Sequence, residues 1–183
     1  MLSLPCTVYD RILLCLFLVF LTLFWAFLSF QIYPRYAFYV SVQYGANQPG
    51  YDLIVESGGK TLKISVKGSR DGSWGLTQGY KKGCDYHQAI QAWQEANDKK
   101  EIIFCLVQFQ GTNDNEMPRM YLATPAEIAQ AMNVSAGGRG DTILYENHTW
   151  GPRAVGSGTT DKVPDTWEFT RQRAADMIKN YGK

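Results

Sequence analysis

Short runs in which every second residue is apolar fill the first part of the region that follows residue 35. They cover residues 37–44, 51–56 and 61–68, and they are rich in β-branched and aromatic residues, as is typical of β-strands. Glycine-containing turns, GANQPG at 45–50 and SGGK at 57–60, separate the runs. The pattern predicts three strands, and it predicts that the last two form a hairpin.

Helical periodicity then alternates with further strands. DYHQAIQAWQEANDKK (85–100) has apolar residues three or four apart and predicts a helix, and the continuous apolar run 101–109 predicts a central strand. RMYLAT (119–124) predicts a short strand. The segments 124–132, with threonine as N-cap before proline, and 167–181 predict two more helices. Together these elements predict an α/β domain with a mixed central sheet flanked by helices.

Residues 12–33 form a separate apolar segment of 22 residues without a charge. As a helix they would span about 30 Å, the thickness of the hydrocarbon core of a bilayer. We predict a single transmembrane helix over 12–33, within an N-terminal segment 1–35 that precedes a globular domain at 36–183. Arg11 and Arg35 flank the run on opposite sides, so charge does not fix its orientation.

Other interpretations of the apolar segment are a signal peptide, a buried helix and an incorrect gene start. The run is too long for a signal peptide, and no small-x-small cleavage site follows it. Large side chains on every face argue against a buried helix. The expected location is therefore a membrane anchor with the globular domain in the cytoplasm, or the cytoplasm alone if residues 1–35 are a gene-start artefact.

Composition limits the classes of function. The net charge is +1, so the chain lacks the basic field that drives strong non-specific DNA binding, and any contact with nucleic acid has to be local. The four cysteines form no CxxC pair, which argues against zinc or a disulfide framework and favours a reducing compartment. His87 and His148 are the only histidines, and no GxSxG motif accompanies them.

Two charges on adjacent predicted strands are the main candidates for chemistry. Asp52 lies on the first strand of the hairpin, and Lys67 lies on the second strand, on the same face as Ser65. The hairpin would direct both charges into one cleft. A carboxylate can bind Mg²⁺, and a lysine can orient a water molecule or stabilise the charge on a phosphate. The alternative is an ordinary ion pair on an exposed sheet face.

The stretch QPGYDLIVESGGKTLKISVKGS resembles the motif of the PD-(D/E)xK nuclease superfamily, whose fold is restriction-endonuclease-like. In that motif an aspartate begins one strand, a hairpin follows, and an acid-x-lysine sequence lies on the next strand. The lead-in at 49–52 and the sequence VKGS at 66–69 resemble the family, and the likeness covers about residues 37–130. Gln78 resembles a polar residue that some members carry on the following element.

The resemblance implies a role for several residues. Asp52 corresponds to the metal ligand, the backbone carbonyl of Val66 to a further ligand, and Lys67 to the catalytic lysine. Ser65 stands where the family usually has an acid. The implied cofactor is Mg²⁺ or Mn²⁺, and the implied partner is DNA.

The expected function is that of a metal-dependent DNA endonuclease-like domain that hydrolyses phosphodiester bonds, in an active or a degenerate form. The alternative is a non-catalytic module derived from the nuclease fold, anchored in the membrane through 12–33, that binds DNA or protein. Asp71 and Asp85 are further acids that could reach the site from loops. Trp74 and Trp150, both in predicted loops, are candidates for stacking on bases.

Overall fold

The computed structural model of the protein describes residues 39–42, 50–113 and 115–183. The predicted membrane helix 12–33 and the whole N-terminal segment 1–35 lie outside these residues. Within the described ranges, no helix is both long enough and apolar enough to cross a membrane.

Groups of strands are separated by single α-helices along the described chain. In order, the strands are β1 (Tyr39–Val42), β2 (Leu53–Ser57), β3 (Lys60–Ser69), β4 (Ser73–Gly75), β5 (Ile102–Gln108), β6 (Arg119–Ala123), β7 (Ile143–Tyr145), β8 (Asn147–Thr149) and β9 (Thr160–Lys162). The α-helices are α1 (Tyr86–Asp98), α2 (Pro125–Gly138) and α3 (Arg171–Tyr181), and short 3-10 helices cover Gln78–Tyr80 and Asp165–Trp167.

A five-stranded mixed sheet forms the centre, in the order β1-β2-β3-β5-β6. β1, β2 and β3 pair antiparallel with their chain neighbours, β5 runs parallel to β3, and β6 is antiparallel to β5. A parallel pair needs a crossover connection, and α1 lies within it. The predicted α/β class with a mixed sheet flanked by helices is confirmed, and so is the predicted hairpin of β2 and β3.

Two apolar layers cover the faces of the sheet. Every residue of β5 is buried, as expected for a central strand, and its side chains alternate between the layers. Ile102, Phe104 and Leu106 pack in the layer that also contains residues of α1 and α2. Ile103, Cys105 and Val107 pack in the opposite layer, against residues of α3.

Side-chain caps define where two of the helices begin. Asp85 accepts a hydrogen bond from the backbone N–H of Gln88, and the Gln88 side chain accepts one from the N–H of Asp85. Thr124 and Glu127 form the same reciprocal cap in front of α2, with proline at the first position of the helix. α2 extends beyond the predicted end at residue 132, and its backbone leaves helical geometry at residues 135–137.

The short strands were not all predicted. The segment 69–75 was expected to be loop, yet β4 lies within it and pairs with β7. The segment 149–166 was expected to lack regular structure, yet it contains β9, which pairs with β8. These strands are only three residues long, and each is stabilised by a partner elsewhere in the chain, so the local pattern carries little information about them.

Candidate functional site

Asp52 lies immediately before β2, where the β2–β3 ladder ends. Its backbone N–H donates to the carbonyl of Ile64 at 2.8 Å. Its carboxylate oxygen Oδ2 accepts two hydrogen bonds from β3, one from the backbone N–H of Val66 at 2.6 Å and one from Ser65 Oγ at 3.2 Å. These two bonds occupy Oδ2 and hold the carboxylate against β3.

Val66 also orients its carbonyl toward Asp52. In a strand, the N–H and C=O of one residue point to the same side, so the Val66 carbonyl points to the side on which its N–H meets Asp52. The carbonyl and the carboxylate are thus directed to the same region of the molecule.

Lys67 lies two residues after Ser65, on the same face of β3. Its backbone carbonyl accepts a hydrogen bond from Trp74 Nε1 at 3.0 Å, and Trp74 is buried in the core, so the backbone at Lys67 is held firmly. The side chain is exposed, and no ion pair of the described chain involves it. The alternative interpretation, an ordinary ion pair between Asp52 and Lys67, is therefore not found among the described residues.

Asp52, Ser65 and Lys67 line one cleft of about 450 Å³, here called the central cleft. Its walls come from the start of β2, from β3, from the C-terminal part of α1, from β5 and from the segment after β4. The lining residues are Gly50, Tyr51, Asp52, Ser65, Lys67, Gly75, Leu76, Tyr80, Trp93, Asn97, Lys100, Ile102 and Phe104. The prediction that the two charges share a cleft is consistent with this arrangement.

A second cleft of about 410 Å³, here called the side cleft, shares Lys67, Gly75 and Leu76 with the central cleft. Asp71 lines it, and its Oδ1 accepts hydrogen bonds from Ser69 Oγ and Ser73 Oγ, each at 2.9 Å. Hydrogen bonds from the side chains of these two serines lower the pKa of the Asp71 carboxyl below its ordinary value. Asp71 is thus occupied within its own loop and does not join Asp52.

Other acids and polar residues considered from the sequence lie elsewhere. Asp85 caps α1 through its bond with Gln88 N and is not part of the central cleft. Gln78 begins a 3-10 helix, and its side chain lies over Gly75, where a Cβ would be only 2.8 Å from Gln78 Oε1. Gln78 is absent from the walls of the central cleft, although it contacts a residue that forms them.

The residues at the site fit a divalent cation only in part. Within the described ranges, no group of three or more His, Cys, Asp or Glu side chains could hold a metal ion. The oxygen groups on this side of β3 are the Asp52 carboxylate, the Ser65 hydroxyl, which is neutral, and, by strand geometry, the Val66 carbonyl. Such a set would leave most coordination positions of a Mg²⁺ ion to water or to other ligands.

The two tryptophans proposed as stacking platforms are both engaged with the protein. Trp74 is 3% exposed and packs edge-on against Tyr121, so the expectation that it stacks on bases is wrong. Trp150 is half-buried, donates from Nε1 to Asp161 Oδ2 at 2.7 Å and packs against the Arg139 guanidinium. Neither tryptophan lines the central cleft.

Asn97 and Lys100 are polar residues of the cleft that were not singled out from the sequence. Both lie at the C-terminal end of α1, and the sequence pattern marked them only as the polar end of a helix. The order of elements was the one feature of the sequence that could have predicted their position. A crossover helix between two parallel strands returns over the sheet, so the residues at its C-terminal end lie near the start of the next strand.

Comparison of the chain with models of known families, with curated proteins and with solved structures finds no significant match.

Proposed function

We propose that residues 36–183 form a restriction-endonuclease-like domain that hydrolyses phosphodiester bonds of DNA, with Asp52 and Lys67 at its centre. The observation that carries the proposal is that both residues line one cleft at the β2–β3 hairpin. The order of elements supports the fold assignment, because a hairpin is followed by a crossover helix and a strand parallel to β3. In this proposal, the segment 12–33 anchors the domain at a membrane.

Lys67 binds the substrate in this proposal. Its exposed side chain has no ionic partner in the described chain, so its ammonium group is available to a phosphate oxygen. The hydrogen bond from Trp74 Nε1 holds the backbone of Lys67 in place. Less conformational entropy is therefore lost when the Lys67 side chain becomes ordered on a phosphate. A lysine in this position stabilises the negative charge that develops on the phosphate in the transition state.

Asp52 and the Val66 carbonyl would hold Mg²⁺ or Mn²⁺ together with the substrate. When bound, such an ion supplies a more acidic water molecule and neutralises phosphate charge. The bonds from Ser65 and Val66 keep the Asp52 carboxylate turned toward β3, so the protein fixes the direction of its ligand before any cation binds.

A second candidate function is a non-catalytic DNA-binding module with the same fold. The observation that favours it is the single carboxylate at the site, since Ser65 replaces an acid and hydrogen-bonds to Asp52. In this case, the cleft binds phosphate through lysine and does not hydrolyse it.

The test is cleavage of plasmid DNA by the full chain in detergent, with Mg²⁺ or Mn²⁺ and with EDTA. Asp52→Asn and Lys67→Ala should each lower the metal-dependent rate by about 100-fold or more, as for other groups that stabilise transition-state charge. Lys63→Ala is the matched control, because Lys63 lies on the same face of β3 and outside the central cleft.

Each outcome separates the two candidates. Metal-dependent cleavage that is lost in both site variants and kept in Lys63→Ala supports hydrolysis at this site. No cleavage with either metal, combined with DNA binding that depends on Lys67, rejects the hydrolase and supports the binding module. Cleavage that is equal in the wild type and in all three variants rejects the site.

A further inference from the structure

Lys100 reaches the central cleft from a part of the chain outside the motif of Asp52 and Lys67. It lies two residues after the end of α1 and two residues before β5, and it lines the cleft together with Asp52 and Lys67. No ion pair within the described ranges involves Lys100. Its ammonium group, like that of Lys67, is therefore without a carboxylate partner there.

The side chain of Lys100 packs against the backbone of Gly50. A Cβ added at Gly50 would lie 3.0 Å from Lys100 Cδ and 3.7 Å from Cε, so the aliphatic part of Lys100 passes over the bare Cα of Gly50. Gly50 also has a backbone φ of +99°, a conformation that residues other than glycine rarely adopt. The glycine in the lead-in to Asp52 thus makes room for a lysine of the same cleft.

Asn97 adds a polar group beside Lys100. It is 6% exposed, lies among the residues that line the cleft, and donates from Nδ2 to the carbonyl of Trp93 at 2.8 Å. An amide nitrogen carries two N–H groups, so one further donor remains after this bond. A buried amide with a remaining donor is a suitable partner for a phosphate oxygen.

Lys67 and Lys100 enter the cleft from different elements. Lys67 lies on β3, whereas Lys100 lies in the connection between α1 and β5 and runs beside Gly50. Ile102, two residues after Lys100, is paired with Lys63, and Lys67 lies four residues further along β3, so the two lysines come from separate backbone positions.

We propose that Lys100, assisted by Asn97, makes a contact with the phosphate backbone of the nucleic acid in addition to the contact at Lys67. The inference rests on the proposed substrate class and extends it, because it assigns a second contact to the same strand. The charged residues that line the cleft are Asp52, Lys67 and Lys100, so the net charge of its lining is positive and an anionic strand would compensate it.

A structural explanation of the lysine is its position at a helix C-terminus, where positive charge is favourable. Lys99 shares this property, since it directly follows α1 and is exposed, but it does not line the cleft. Lys99→Ala and Lys100→Ala therefore remove the same charge from neighbouring positions, and only the second removes it from the cleft.

The test measures binding of the full chain, in detergent and EDTA, to a short fluorescein-labelled DNA duplex by fluorescence anisotropy across a range of salt concentrations. Lys100→Ala should weaken binding several-fold and reduce the slope of log affinity against log salt by about 0.9, the value for one lost phosphate contact. Lys99→Ala should leave the slope unchanged, and Lys100→Arg should restore it.

Equal losses of DNA affinity and of salt dependence in Lys99→Ala and Lys100→Ala would overturn the inference. They would show that the net charge of this region matters and that a contact within the cleft does not. Absence of DNA binding by the wild-type chain would overturn it as well. Because EDTA removes divalent metals, the outcome is independent of catalysis. A chain that binds DNA through Lys100 and does not cut it keeps this inference and loses the proposed hydrolysis.

Discussion

The Asp52 carboxylate and the backbone N–H of Val66 form a hydrogen bond of 2.6 Å across the open end of the β2–β3 ladder. The bond continues the contact between the two strands beyond the last paired residues, Leu53 and Ile64. Here the acceptor is a side-chain carboxylate, whereas in the ladder it is a backbone carbonyl. Ser65 donates to the same oxygen, so its hydroxyl supports the Asp52 carboxylate. The local structure is satisfied without a cation, which makes the serine a direct target for experiment.

Replacing Ser65 with glutamate should create a stronger cation site. Ser65 Oγ lies 3.2 Å from Asp52 Oδ2, so a longer acidic side chain here would place a second carboxylate near Asp52. The two like charges repel each other unless a cation binds. Mg²⁺ should therefore raise the melting temperature of Ser65→Glu more than that of the wild type, as measured by scanning fluorimetry.

Ser65→Gln is the control for this change, because it has nearly the same size and no charge. If Mg²⁺ shifts the melting temperatures of the Glu and Gln variants equally, the two side chains do not form a joint site with Asp52.

Replacing Thr77 with valine should stabilise the folded protein. Thr77 is fully buried, and its Oγ1 has no hydrogen-bond partner among the described residues. Burial of an unpaired hydroxyl costs about 1–3 kcal/mol, and valine has the same shape without that group. Thr77→Val should therefore raise the free energy of unfolding by about 1 kcal/mol in urea titrations.

Thr124→Val is the matched change with the opposite sign. The Thr124 hydroxyl accepts from the N–H of Glu127 at the start of α2, and loss of such a cap costs about 1 kcal/mol. Destabilisation by both substitutions would show that the Thr77 hydroxyl has a partner after all.

Glu146 should make stability depend on acid pH. Its carboxylate accepts two hydrogen bonds from Arg119, at 2.7 and 2.8 Å, and one from the Tyr121 hydroxyl at 2.7 Å. The bonds from Arg119 are the main cause that lowers the pKa of Glu146 below 4.5, although burial opposes them. The folded state therefore gains stability above about pH 4.5 and loses it as the pH falls through the lowered pKa.

Glu146→Gln should be less stable than the wild type at pH 7, and the difference should shrink below about pH 4.5, as measured by urea unfolding at several pH values. Glu56→Gln, at an exposed carboxylate of β2, is the control. A stability difference for Glu146→Gln that stays constant down to pH 3 would contradict the assignment.

Gly156 should tolerate alanine less well than Gly158. Both have positive φ, +80° and +81°, so alanine strains the backbone at either position. A Cβ at Gly156 would lie 2.2 Å from the carbonyl carbon of Ala136, whereas a Cβ at Gly158 meets nothing within 4 Å. Gly158→Ala should cost about 1 kcal/mol of unfolding free energy, and Gly156→Ala clearly more. Equal losses in urea titrations would mean that the chain around Ala136 moves away freely.

The central sheet could be predicted because its signals are local and repeated. The glycine turn at 57–60 and the alternation on either side of it define the β2–β3 hairpin. The continuous apolar sequence of β5 predicted a buried strand, and Thr124 predicted the start of α2 through its capping chemistry.

The site was predicted only where it coincides with the hairpin. Asp52, Ser65 and Lys67 are near one another in sequence, so strand alternation was enough to place them together. Asn97 and Lys100 enter the cleft through the crossover, and Trp74 becomes buried through a three-residue strand whose partner follows about 70 residues later. Such relationships depend on pairing between distant segments, which local patterns do not contain.

The parallel pairing of β3 with β5 has a consequence for how the protein reaches its native state. The hairpin of β2 and β3 can form early because its contacts are local, whereas closure of the long β3–α1–β5 loop is entropically costly and slow. The side of the central cleft that Asn97 and Lys100 form is complete only after β5 has paired with β3. Asp52 and Lys67 are therefore expected to meet during the first folding events, and the cleft that surrounds them is expected to be among the last features to mature.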